Sequence, residues 1–136
     1  MSRADRLAVL GALLLPLLLT WPMALDPTGT LLGSPFGEVD NHFWMYWRDG
    51  AGPGPWVNWP DGWEIPLMDV VNRPIARLGG ALGPVFAYHL VVYLNLVLAG
   101  LGGWALAKEL TDDVHAAWVG LVGAASAPFL GGILEF

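Results

Sequence analysis

The chain has 136 residues, 55% of them hydrophobic and 13% charged, where soluble domains carry about 25% charged residues. A net charge of −6, with six Lys and Arg scattered along the chain, excludes binding to a phosphate backbone. The absence of cysteine excludes disulfides, thiolate nucleophiles and Cys-based zinc sites.

The first apolar run, Leu7 to Leu25, carries no charge and predicts a spanning helix of about 28 Å. Arg3 and Arg6 precede it, and Trp21 near its far end suits an interfacial anchor. Pro16 lies inside, which membrane helices tolerate. Basic residues ahead of an apolar stretch also fit a cleaved signal peptide. The exit, TWPMALDP, offers no small-x-small cleavage site, which favours an uncleaved helix.

The next segment, 26–84, is too aromatic for a plain linker: Phe43, Trp44, Tyr46, Trp47, Trp56, Trp59 and Trp63 all fall here. Interfacial Trp and Tyr favour the headgroup layer, so this loop is expected to lie along a membrane surface. Its first element reads GSPFGEVDNHFWMYWRDG. Asp40 or Asn41 can cap a short helix that carries Asp40, Phe43, Trp44 and Trp47 on one face, until GAGPGP breaks it. Glu38 and Asp40 then sit beside an aromatic platform. A carboxylate there can act as a general base or hold a divalent metal that bridges phosphates. It can equally be an acid favoured at a helix N-terminus. His42 and Arg48 can hold an anionic phosphate or serve as ordinary interfacial residues.

After a PDGW turn, residues 66–82 predict an amphipathic interfacial helix. Leu67, Val70, Val71, Ile75, Leu78 and Leu82 mark its apolar face, and Pro74 divides or kinks it. Asp69 and Arg73 have the spacing of a structural ion pair.

Two further apolar runs follow, 85–107 and 116–136, joined by a polar turn at 108–115 and expected to form an antiparallel hairpin. Small residues recur every four positions, as Ala99, Gly103 and Ala107 and as Gly123, Ala127 and Gly131. That spacing lets helices approach closely. His89 and Asn95 are the polar outliers, and His89, one turn in, suits an interfacial role. Glu135 is placed to approach the loop. Arg3, Arg6 and Lys108 favour a cytoplasmic N-terminus, against Arg73 and Arg77 on the opposite side, and this orientation puts 26–84 outside. The expected fold is therefore an all-α membrane protein. It has about three transmembrane helices (7–25, 85–107, 116–136) and a large outer loop containing two interfacial amphipathic helices.

The order of these elements carries a resemblance. One span is followed by GEVDNHFWMYW, the PDGW turn and an amphipathic helix. A hairpin then runs from GPVFAYHLVVYLNLVLAGLGGWALAKELT to AAWVGLVGAASAPFL. Together they resemble the N-terminal part of bacterial multi-spanning membrane glycosyltransferases of the C superfamily, in the branch called YfhO-like. The resemblance implies residence in the bacterial cytoplasmic (inner) membrane and a sugar donor carried on polyprenyl phosphate. It also implies an acidic residue essential for transfer in the first outer loop. Asp40 best matches that acid, with Glu38 second, acting on the acceptor hydroxyl directly or through Mg or Mn. His42, Trp44, Trp47 and Arg48 would line the substrate site. The pair here is Glu-x-Asp where the family pattern has adjacent acids, and members have many more spans. The chain is accordingly expected to be a module that needs further helices or a partner subunit. The other reading is a non-catalytic membrane subunit whose small-residue stripes pack against partner helices. A transporter component has little support, because the spans carry no charged pathway.

Overall fold

The computed structural model describes residues 2–21, 23–29 and 71–130, and these are helical with no strand. Four α-helices occur among them: α1 (Arg3–Leu19), α2 (Arg73–Gly80), α3 (Pro84–Thr111) and α4 (Val114–Leu130), with a short 3₁₀ turn at Met23–Leu25. α3 is long and apolar enough to cross a membrane.

α1 starts four residues before the first apolar run and stops six before its end. Its start is fixed by a capping box. The Ser2 hydroxyl accepts from the Asp5 amide at 3.1 Å, while the Ser2 amide donates to Asp5 Oδ2 at 2.8 Å. The helix continues past Pro16 and ends after Leu19, where Thr20, two residues before Pro22, is the C-cap and leaves the helical region. The Thr20 amide and hydroxyl both donate to the Pro16 carbonyl, at 2.9 and 2.7 Å. α1 is thus about 25 Å long rather than the expected 28 Å.

α2 begins at Arg73 with Pro74 in its first turn, where the missing proline donor costs nothing. Within the described part of the stretch 66–82, helix is confined to 73–80, because 71–72 and 81–82 are turns; residues 66–70 lie outside the described residues. The Asp69–Arg73 pair lies outside the described residues. Gly83, at φ 105°, turns the chain into α3 in a conformation that disfavours a side chain. Gly79 packs so tightly on α3 that an added methyl would sit 2.7 Å from the Ala87 Cα.

The polar turn between α3 and α4 is shorter than the expected 108–115. AKELT continues α3, and only Asp112 and Asp113 lie outside helix. Asp112 adopts the left-handed conformation that caps α3, and Asp113 Oδ1 accepts from the His115 amide at 2.8 Å to start α4. So tight a turn makes α3 and α4 an antiparallel hairpin, as expected from the sequence.

The close face of this hairpin is set by glycine. A methyl added at Gly103 would overlap the Gly120 carbonyl and come within 2.7 Å of the Ala124 Cβ. One added at Gly120 would come within 2.7 Å of the Ala107 Cβ. Gly103 and Ala107 therefore do form the α3 contact, but Ala99 is exposed. On α4 the contact stripe is Gly120 and Ala124, not Gly123 and Ala127. Gly123 has nothing within 4 Å of where its Cβ would be, and Ala127 is exposed. Gly131 lies outside the described residues. The phase was not legible because α4 has small residues around its whole circumference.

α1 lies across both helices, antiparallel to α3. The shared core is built from Ala8, Ala12, Val97, Trp104, Ala117 and Leu121. Trp104 and Trp118 meet edge to face at 5.2 Å, and the Trp118 ring fills the space over Gly11. We predict that Gly103→Leu or Gly120→Leu destabilises the fold by at least about 1–3 kcal/mol through overpacking, whereas Gly123→Leu is tolerated. Thermal melts of the three variants in one detergent check this.

Candidate functional site

The six residues singled out in the sequence, Glu38, Asp40, His42, Trp44, Trp47 and Arg48, all lie outside the described residues, as does Glu135. What the structure does show is how the segment bearing the six is attached. The chain leaves the described region after Gly29 and returns at Val71, and both points are tied to α3.

The first tie is His89. Its ring is 3% exposed, and Nδ1 lies 2.8 Å from the Pro27 carbonyl. A carbonyl only accepts, so Nδ1 carries the proton and donates. Asp26 shapes the same exit, its carboxylate accepting from the Gly29 amide at 3.0 Å. The second tie is Asn95, whose Nδ2 donates to Asn72 Oδ1 at 2.9 Å and to the Val91 carbonyl at 2.9 Å. A third contact holds α1 itself: the Tyr93 hydroxyl donates to the Leu13 carbonyl at 2.9 Å, one turn ahead of Pro16. The polar outliers of α3 therefore fasten the segment's two ends. No buried side-chain nitrogen or oxygen among the described residues lacks a hydrogen-bond partner.

The opposite end of the bundle carries a separate polar group. Lys108 Nζ donates to Asp5 Oδ1 at 2.6 Å and lies 5.9 Å from the centre of the Trp104 ring. Each oxygen of Asp5 thus has its own donor, Lys108 on Oδ1 and the Ser2 amide on Oδ2. The Lys108 ammonium, followed by the Ser2 amide and hydroxyl, holds the Asp5 carboxyl well below the usual carboxylate range. An open groove of about 650 Å³ lies here between α1 and α3, with Asp5, Trp104, Lys108, Glu109 and Asp112 in its wall. Among the described residues no three His, Asp or Glu side chains converge to hold a metal ion.

Sequence reasoning missed Asp5, Tyr93 and this groove. The S-x-x-D pattern at Ser2–Asp5 was a readable signal for the helix start. Nothing local announced that Asp5 meets a lysine 103 positions away.

Two outcomes follow. His89→Ala leaves the Pro27 carbonyl without its donor, at a cost of about 1–3 kcal/mol. Hydrogen exchange at residues 26–29 should quicken, while the α3–α4 hairpin stays protected. Separately, because folding lowers the Asp5 pKa, the Asp5–Lys108 pair stabilises the fold above the ordinary carboxylate value near 4. That contribution disappears as the pH falls towards the lower, folded-state value. The wild-type chain should lose more stability than Lys108→Met between pH 7 and pH 3, as read by paired denaturation curves. The chain matches no family model, no curated protein and no solved structure.

Proposed function

We infer that this chain is a membrane module in which α1, α3 and α4 cross the bilayer and the 26–84 segment lies at one surface. The observation that carries this reading is the reversed distribution of side-chain size. Among the described residues, half of the buried hydrophobic positions are alanine, with Ala8, Ala12, Ala117 and Ala125 all at 0–1% exposure, beside a few larger side chains such as Leu96, Trp104 and Leu121. The large aliphatics point outward: Leu18 is 70% exposed, Leu106 63% and Val119 73%. In water such a surface is a severe liability. In lipid it is the expected one, because helices there associate through small residues and show leucine to the acyl chains. The most apolar stretch of α3 is only 28% buried, unlike the core helix of a soluble protein.

α2 is amphipathic and runs back along α3, with Gly79 against Ala87 and Asn72 bonded to Asn95; Val71, Leu78 and Leu82 remain exposed beside an exposed Arg77. Arg3, Arg6 and Lys108 share the end we assign to the cytoplasm, which puts Glu38 and Asp40 outside.

Within that frame the activity we propose is sugar transfer from a polyprenyl-phosphate donor, with the chain as one module of the transferase. This half of the reading rests on the sequence resemblance. Asp40 would take the proton of the acceptor hydroxyl as it attacks, with Glu38 beside it. His42 and Arg48 would hold the donor phosphate, and Trp44 and Trp47 would carry the lipid-facing wall. Glu38 and Asp40 are also the carboxylates that would hold a divalent ion. The alternative, a non-catalytic subunit, is favoured by the open flank of α4 at Gly123 and Ala127, which is shaped for another helix.

One experiment addresses both halves. The chain lacks cysteine, so single cysteines introduced at Ser34 and Asp113 report sidedness directly. Ser34→Cys should label from outside and Asp113→Cys only from within, and carbonate washing should leave the chain in the membrane. Transfer from a labelled polyprenyl-phosphate sugar should fall by about 10²-fold or more in Asp40→Asn, with insertion unchanged. The transfer assay is made with the complete transferase: unaltered transfer would sink the assignment of Asp40, and co-purification of a stable partner with Asp40 dispensable would favour the subunit.

A further inference from the structure

The groove between α1 and α3 lies apart from the described ties at Pro27 and Asn72, and it has the makings of a binding site. Its chemistry is graded along its length. At the end near the α3–α4 turn stand three carboxylates, Asp5, Glu109 and Asp112, with one ammonium, Lys108. From Asp112 the α3 wall runs about 16 Å to Leu101, where the lining is apolar. Val9, on the α1 side, is exposed, so the groove opens sideways to whatever surrounds the helices. Its 650 Å³ falls within the roughly 300–1,000 Å³ of small-molecule sites.

Lys108 is positioned by two contacts. Its Nζ lies beside the Trp104 ring and donates to Asp5 Oδ1. An ammonium has three protons, so one bond to Asp5 leaves capacity for an anionic oxygen arriving from the groove. Glu109 and Asp112 face the same opening and are not neutralised by Lys108, which is engaged with Asp5. The best complement is a ligand with a protonated amine at its tip, an anionic oxygen a few bonds behind it and an apolar tail.

We propose that this groove seats a bilayer phospholipid with a primary ammonium headgroup, its ammonium between Glu109 and Asp112, its phosphodiester at Lys108 and its acyl chain along Val9 and Leu101. This rests on the membrane reading above. A bilayer supplies such a molecule from the side on which the groove opens, with the headgroup already at the level of the charged residues. A primary ammonium donates three hydrogen bonds, whereas the quaternary ammonium of a choline lipid donates none, so the site should tell them apart. An anionic lipid without an amine would meet the carboxylates unfavourably.

The test uses the full chain purified from membranes. Native mass spectrometry would compare retention of phosphatidylethanolamine, phosphatidylcholine and phosphatidylglycerol with matched acyl chains. Glu109→Gln combined with Asp112→Asn removes the headgroup carboxylates and spares the fold. Both residues are exposed, and Asn accepts the left-handed conformation at position 112. The wild-type chain should retain the ethanolamine lipid about tenfold over the choline lipid, and the double variant should bring the two level. Equal retention by the wild type, a preference for the glycerol lipid, or an ethanolamine preference that survives in the double variant overturns the proposal. Release of the chain from membranes by carbonate overturns it together with the membrane reading. A chain that stays in the membrane without lipid preference overturns this inference alone.

Discussion

The fold depends on the contact between Gly103 and Gly120. With no side chain at either position, the backbones of α3 and α4 come close enough that one added methyl would overlap the other helix. Packing of that kind draws on dispersion and the fit of small surfaces rather than on the expulsion of water from large side chains. It explains why alanine makes up half of the buried hydrophobic positions, and why most of the leucines face outward. α1 then joins through its own small residues, Ala8, Gly11 and Ala12, with Trp104 and Trp118 in edge-to-face contact and the Trp118 ring over Gly11.

Polar groups are used sparingly. Along the first half of α3, His89 and Asn95 fasten the two points where the 30–70 segment departs and returns. At its far end, Asp5 and Lys108 tie the start of α1 to the last turn of α3. The two regions therefore have different work. One anchors a long segment rich in acids and aromatics, and the other closes the bundle and leaves a charged groove beside it.

Much of this architecture was legible in the sequence. The helices in the apolar runs, the hairpin and a helix start at Pro74 all follow from residue type and spacing. The ends of the helices were less legible, because they depend on hydrogen bonds rather than hydropathy. Thr20 and Pro22 stop α1 inside an unbroken apolar run, and Asp112 and Asp113 shorten a polar stretch that reads as loop. The facing stripe of α4 was ambiguous for a different reason. Gly120 and Ala124 have the same small size as Gly123 and Ala127, so only a partner helix distinguishes them. The Asp5–Lys108 and Tyr93–Leu13 contacts join residues far apart in the chain, which no local pattern encodes. The acids of the loop, Glu38 and Asp40, were picked out by residue type and resemblance alone.

The contacts of Tyr93 and Lys108 with α1 have a mechanical meaning. An alanine surface is smooth, and a smooth helix can slide along its neighbour with little change in packing energy. The Tyr93 hydroxyl on the Leu13 carbonyl and the Lys108 ammonium on Asp5 are short, directional and set along the length of α1. Together with the Trp118 ring over Gly11, they act as indexing pins along the rail. Translation of α1 by one turn would have to break both at once, so the helix is held at a single depth against α3. The exit at Pro27, and with it the starting height of the segment beyond, inherits that depth.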